Sequence, residues 1–282
     1  MVDLHTHSNK SDGSYSPGEL VKLAVEKNLS AIALTDHDTV AGLEEACEAA
    51  KSLPIEVIKG VELSSKYENK DIHIVGLFIN EKAPGFLEFL TEFRLAREIR
   101  NEQMCKKLQE HGVNLSIEEL KAAFPDAVIT RGQYAEMIYR KGYTKSIPEA
   151  FERFVGDNSP CYVPRDLISP RQAIELIKQA NGLAILAHPT LYHMSNSRLR
   201  TLVGLLKDYG LDGIEGKYTT YSHTEEREIK ELATDFDLIL SGGSDFHGKT
   251  KPRTQLGTGF GNLYVDDSVL EKLREKHQKT NK

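Results

Sequence analysis

Hydrophobic and polar positions along the chain fall into blocks that change period. Residues 2–6 are a short apolar run that stops at His5-Thr6-His7-Ser8 and read as a strand. Ser16-Pro17-Gly18-Glu19 then marks a helix start, with Ser16 as N-cap, Pro17 at the first helical position and Glu19 three residues after the cap. That helix continues through Leu20, Leu23 and Ala24 to Asn28. Residues 31–34 form a second apolar strand ending at Thr35-Asp36-His37-Asp38, and a helix over roughly 40–51 follows. Residues 55–58 and 60–63 make an extended stretch ending near Glu62, and 72–78 another strand with His73 near its start.

The pattern then changes. From about 84 to 150 the chain is rich in Lys, Arg and Glu with helical periodicity and no convincing strand. Phe86, Leu90, Phe93, Arg97 and Met104 share one long helix, and shorter helices are expected over 116–123, 132–140 and 147–154. Alternation resumes at Ser169-Pro170, a capped helix start. Strands are expected at 183–187, ending in His188-Pro189; at 213–215; at 238–240, running into Ser241-Gly242-Gly243-Ser244-Asp245-Phe246-His247; and at 263–265, before a closing helix over 268–276. The polar tail from 276 is expected to fray. Strand–helix alternation predicts an α/β chain with a mostly parallel sheet or barrel, in which chemistry sits on the loops where strands end. The barrel is expected to span 1–80 and 165–282, with a helical insertion over 81–164.

Composition narrows the class. With 39% hydrophobic and 28% charged residues among 282, the chain is a soluble globule, too apolar for disorder. Cys47, Cys105 and Cys161 are odd in number and far apart, which excludes a disulfide framework and a thiolate zinc cluster. A net charge of −6 argues against a broad basic face for duplex DNA, while leaving room for a nucleotide or a short single strand at a metal site. Met1-Val2-Asp3-Leu4-His5 has no secretory character, and no apolar run approaches bilayer length, so a cytoplasmic chain without a membrane partner is expected. Oligomeric state is not readable.

The candidate chemistry lies in the histidines. Six of the ten sit in short polar motifs at the ends of apolar runs. His5 and His7 fall on the same side of an extended strand. Together with Asp12, His37, Glu62, His73, His188, Asp245 and His247 they make nine candidate ligands: six His, two Asp and one Glu. Imidazole and carboxylate without thiolate suit zinc, manganese or iron. Nine are too many for one tetrahedral ion with an open position, so two or three divalent ions about 3.5–4 Å apart are expected. Such a cluster deprotonates a bridging water at neutral pH, orients a phosphate and stabilises charge on the attacking and leaving oxygens. There is no GxSxG elbow, P-loop or dinucleotide fingerprint to suggest another chemistry.

His5-Thr6-His7-Ser8 with Ser11-Asp12-Gly13, Thr35-Asp36-His37-Asp38, Gly60-Val61-Glu62, His73, Ala187-His188-Pro189 and Ser244-Asp245-Phe246-His247 resemble, in order, the motifs of the PHP (polymerase and histidinol phosphatase) superfamily. The resemblance implies a distorted (β/α)7 barrel holding three metals: His5, His7, Glu62 and Asp245 on one; Glu62, His73 and His188 on a second; Asp12, His37 and His247 on a third. Asp12 stands where histidinol-phosphatase relatives usually carry His. The helical block, with Thr130-Arg131-Gly132-Gln133-Tyr134-Ala135 and Tyr162-Val163-Pro164, resembles the insertion of the stand-alone phosphoesterases of the superfamily, a cap beside the active site. By resemblance the substrate is a nucleoside 3′,5′-bisphosphate or the 5′ end of an RNA. A histidinol phosphatase or other small phosphomonoesterase is the alternative, and a non-catalytic metal-binding regulatory module the alternative of another class.

Further candidates follow. Arg131 precedes a helix, and its guanidinium fork suits a second phosphate; Lys217 and Arg165 are weaker versions of the same idea. His188, His193 and Asp245 are candidates for proton transfer to the leaving oxygen. Asp36 or Asp38, and Asp3, are candidates to accept a ring N–H from a ligating histidine. Arg94, Arg97 and Arg100, interleaved with Glu92, Glu98 and Glu102, read as a solvated face, and Tyr134, Tyr139 and Tyr143 as core of the insertion.

Overall fold

The computed structural model describes residues 1–280 apart from 126, 157, 165 and 166. Seven strands stand side by side in chain order: β1 (Val2–Thr6), β2 (Ala31–Leu34), β3 (Glu56–Tyr67), β4 (Lys70–Leu77), β5 (Leu183–Leu186), β6 (Gly213–Tyr218) and β7 (Ile239–Gly243). β1, β2 and β5 are buried at every position, as all-apolar runs are when both faces of a sheet are covered. The expected parallel pairing holds for β1–β2–β3 and for β5–β6–β7.

β4 is the exception, antiparallel to both neighbours. Only Glu68 and Asn69 separate it from β3, too few for a crossover helix, and Glu68 takes the left-handed φ of 52° that a tight hairpin uses. The reversal has a functional result. His73, early in β4, pairs in register with Ser64, late in β3, and so arrives at the end of the sheet where the parallel strands finish.

The sheet nearly closes. Past β7, Asp245 N–H donates to His5 O (2.9 Å) and His7 N–H to Phe246 O (2.9 Å). Gly243 permits this approach, because a Cβ there would lie 2.5 Å from His5 Cβ. The expected strand at 263–265 does not form. Val2 N–H donates to Val265 O at 3.0 Å, but α10 (Asp267–Thr280) begins two residues later and no ladder develops.

Helices α1 (Pro17–Glu26), α2 (Leu43–Ala50), α7 (Pro170–Gln179), α8 (Asn196–Asp208) and α9 (His223–Asp235) cover the sheet. Ser16 with Glu19, and Ser169 with Gln172, form the capping boxes that start α1 and α7. Between 86 and 163 there is no strand among the described residues: α3 (Phe86–Glu110), α4 (Ile117–Ala123), α5 (Arg131–Arg140) and α6 (Ile147–Ala150) follow one another. α3 serves two cores. Phe86 and Leu90 pack with the barrel residues, whereas Met104, Cys105 and Leu108 pack with Leu120, Tyr134 and Ile138. Tyr134 is fully buried there and Tyr143 packs against that core, but Tyr139 is exposed. Arg97 and Arg100 are not solvated: they are 4% and 6% exposed, turned toward the barrel.

Candidate metal centre

All nine candidate ligands converge at the end of the barrel where the parallel strands finish. Glu62, fully buried, is the hub. Its Oε1 lies 2.8 Å from His73 Nδ1 and 3.0 Å from His188 Nε2. Its Oε2 lies 3.1 Å from His37 Nδ1 and 3.2 Å from both His5 Nε2 and His7 Nε2. Asp245 Oδ1 is 3.2 Å from His7 Nε2. Asp12 Oδ1 is 3.1 Å from His247 Nε2, and its Oδ2 is 3.7 Å from His37 Nε2.

Eight of the nine residues fall into three overlapping groups, each with its ligand atoms within 4.8 Å of one another: His7–Asp12–His37–His247, His5–His7–Asp245 and His37–Glu62–His73; His188 meets the cluster through Glu62. The grouping is close to the division that the resemblance implies, with His7 and His37 lying between groups. The donor set fits cations. His5 Nε2 and His7 Nε2 face each other at 3.1 Å, where two ring nitrogens share at most one proton. Buried His7 Nδ1, His37 Nδ1, His188 Nδ1 and Glu62 Oε2 have no hydrogen bond among the described residues. Polar atoms left so in a dry site are costly, and divalent ions are the partners that imidazoles and carboxylates in this array accept.

The electrostatics agree. Burial opposes the charge on Glu62, yet His37, His5 and His73 hold its carboxyl well below the usual range. Asp12 is held low against burial by His247 and His37, and Asp245 by Lys251 and His247. Burial works against a proton on His7 too, but the Asp245 and Glu62 carboxylates, each 3.2 Å from its Nε2, lift it to about 9. Burial pushes His37 down to about 3. The site therefore keeps its carboxylates anionic and draws positive charge. Asp38, His188 and Asp245 hold left-handed φ of 55°, 28° and 55°, unusual for residues with side chains and concentrated at this mouth.

Glu215, at the end of the apolar run of β6, was not anticipated. Its Oε1 lies 2.7 Å from His5 Nδ1, and its Oε2 accepts His188 N–H at 2.6 Å. The signal was the one that marked Glu62: a carboxylate closing an apolar strand. In Glu215→Gln one oxygen becomes an NH2 group facing an N–H. Metal affinity is expected to drop about 10- to 100-fold, the usual cost of losing an orienting partner; equilibrium dialysis against manganese measures it, and unchanged loading would contradict the role.

Asp3, Asp36 and Asp38, among which candidates to orient imidazoles were sought, tie loops together instead. Asp36 accepts from Ser8 N–H (2.8 Å), Ser8 Oγ (2.6 Å) and Ser11 Oγ (2.6 Å). Asp38 accepts from Ser64 N–H (2.8 Å) and pairs with Arg97. Asp3 accepts from Ser244 N–H and Gly257 N–H, both at 2.8 Å. Short polar side chains beside the histidines thus fix the backbone on which the ligands stand.

A cleft of about 610 Å³ opens from Asp12, His37, His73 and His247. Arg97, Arg100, Arg131 and Lys251 line it too, as do the apolar Ile147, Phe151, Tyr162 and Val163. Arg131 is the first residue of α5, 3.3 Å from Asp71 and 5.4 Å above the Tyr162 ring. Lys251, which nothing in the spacing marked, has Nζ 2.8 Å from Asp245 Oδ2. Two candidates are not brought here. Lys217 lies beyond a register shift in β6 and pairs with Glu226 of α9. His193 lines a separate groove between α8 and α9, where the short helical turn Pro189–Tyr192 carries it. Arg165 lies outside the described residues.

No described helix is long and apolar enough to cross a membrane. The chain is 38% identical over 245 residues to a 5′-3′ exoribonuclease of Haemophilus influenzae, covering 87% of this chain and 89% of that one. It is 31% identical over 247 residues to a 3′,5′-nucleoside bisphosphate phosphatase of Chromobacterium violaceum, covering 87% of each. A solved Chromobacterium violaceum structure, described as an amidohydrolase with bound sulfate and no metal, superposes with a TM-score of 0.87 at 28% identity over 98% of this chain and 96% of the other. The PHP domain family matches residues 3–241, and the chain belongs to that family.

Proposed function

We propose that this chain is a metal-dependent phosphoesterase that hydrolyses a nucleotide phosphate ester, a nucleoside 3′,5′-bisphosphate or the 5′ end of an RNA. One observation carries the reading: a single cleft is lined by candidate ligands, by Arg97, Arg100, Arg131 and Lys251, and by an apolar set that includes Phe151 and Tyr162. A nucleotide with a phosphate at the metals, a second phosphate and a nucleoside calls for those three kinds of lining together. The names of the relatives support the same substrate class.

His5, His7, Glu62 and Asp245 would hold one ion, Glu62 with His73 and His188 a second, and Asp12, His37 and His247 a third. When bound, such ions supply the Lewis acidity that activates water and neutralises the phosphate. The protein side supplies position. Arg131, with Arg100 and Lys251 on the same wall, binds the second phosphate by charge-assisted hydrogen bonds. Ile147, Phe151, Tyr162 and Val163 exclude water from the nucleoside. Asp245 is an anion whose Oδ2 accepts from Tyr218 OH (2.7 Å) and Lys251 Nζ (2.8 Å), so it serves as a ligand rather than as a proton donor. The helical segment 81–164 acts as the cap that carries the phosphate-binding arginines.

The test compares manganese-dependent phosphate release from adenosine 3′,5′-bisphosphate, from a 5′-phosphorylated RNA oligonucleotide and from histidinol phosphate. Charged hydrogen bonds to a second phosphate contribute about 1.5–3 kcal/mol, so a nucleotide substrate is expected to be favoured about 10- to 100-fold in kcat/KM. Histidinol phosphate as the best of the three would overturn the reading.

A further inference from the structure

The helical segment reaches the barrel through polar links, and most of them end beside the same ligands. Arg97 of α3, 4% exposed, pairs with Asp38, the residue after His37. Asp38 N–H in turn donates to Glu62 O at 3.0 Å. From the other side, Val128 N–H donates to Lys10 O at 2.9 Å, Gln133 Nε2 donates to Ser11 O, and the Thr130 hydroxyl lies between Asp12 Oδ2 (3.2 Å) and Gln133 Oε1 (2.8 Å). Asp12 and His37 both stand on loops rather than on strands, and a loop side chain is only as fixed as the contacts that tie its loop. Asp36, bonded to Ser8 and Ser11, locks the two loops to each other. Four of the other candidate ligands are held from within the barrel: the His5 ring and the His188 backbone N–H by Glu215, the His73 backbone N–H by Tyr192 OH (3.2 Å), and the Asp245 carboxylate by Tyr218.

We propose that docking of the helical segment sets the affinity of the Asp12–His37–His247 metal position, with Arg97 and Thr130 as its positioning residues, while the other metal positions load independently of it. This rests on the ligand reading proposed above. The coupling is reciprocal, so an ion at that position also tightens the segment against the barrel. A substrate that reaches from Arg131 to the metals then recruits the ion it needs.

The experiment titrates chelator-stripped full-length protein with manganese alone and reads bound equivalents by equilibrium dialysis. The unaltered chain is expected to take three equivalents. Arg97→Met and Thr130→Val are each expected to weaken one of them about 10- to 100-fold and to leave two unchanged. Thr130→Ser, which keeps the hydroxyl, restores it. In a His247→Ala background neither Arg97→Met nor Thr130→Val removes a further equivalent; in His73→Ala each removes one more. Arg97→Met strands the Asp38 charge, so Thr130→Val and Thr130→Ser carry the test if that variant fails to fold. Equal weakening of all equivalents, no weakening, or fewer than three equivalents in the unaltered chain would overturn the proposal. A chain that loads as expected yet cleaves no nucleotide overturns the substrate reading alone.

Discussion

Glu62→Gln is expected to abolish most of the activity while the barrel stays folded. Five imidazole nitrogens lie within 3.2 Å of this one buried carboxylate. Glutamine fills nearly the same volume, so packing against β4 is kept. It removes the negative charge shared between metal positions and turns an NH2 group toward nitrogens that need an acceptor. Charge stabilisation by metals is worth several kcal/mol at a phosphoryl centre, and about 1.36 kcal/mol corresponds to a factor of ten. A loss of about three to four orders of magnitude in kcat on adenosine 3′,5′-bisphosphate follows, together with loss of bound metal. Circular dichroism should be unchanged. Near-native turnover in this variant would remove Glu62 from the centre of the site.

Arg131→Ala should act on binding instead. Its present partner, Asp71, is about one third exposed and 3.3 Å away, a pair of little net strength that a phosphate can displace. A guanidinium fork on a phosphate gives two aligned charge-assisted bonds, and Arg131 opens a helix whose first N–H groups favour an anion. Loss of about 1.5–3 kcal/mol predicts a KM for the bisphosphate raised about 10- to 100-fold, with a much smaller change for adenosine 5′-monophosphate. Arg131→Lys keeps the charge and loses the fork, so it falls between. Equal effects on both substrates would mean that Arg131 does not read the second phosphate.

The cluster of candidate ligands was legible because its residues announce themselves locally. Each candidate ligand except His73, which opens its apolar run, closes one or follows one within a few residues, and strand ends at one mouth of a barrel are brought together by topology alone. Glu215 carries the same local signal as Glu62 but lies in none of the motifs that resemble the family. The misses elsewhere have one physical origin: hydrophobic period records how a segment is buried, not what packs against it. It could not register that β4 runs backwards, since a buried strand reads alike in either direction. Arg97 and Arg100 share a spacing with Arg94 that suits a solvated face, but α3 lies across the barrel mouth and buries one side of its charge. Lys217 follows the end of an apolar strand as His188 does, yet the register shift after Glu215 re-aims it toward α9. The loop-tying roles of Asp3, Asp36 and Asp38 depend on partners up to 254 residues away, such as Gly257.

The most direct test of the metal centre is a titration of chelator-stripped protein with manganese, following phosphate release from adenosine 3′,5′-bisphosphate. The expected result is no turnover without metal and a rate that rises with occupancy to a plateau, reversed by chelator. Full turnover by metal-free protein would contradict the assignment of the nine residues as a catalytic metal site.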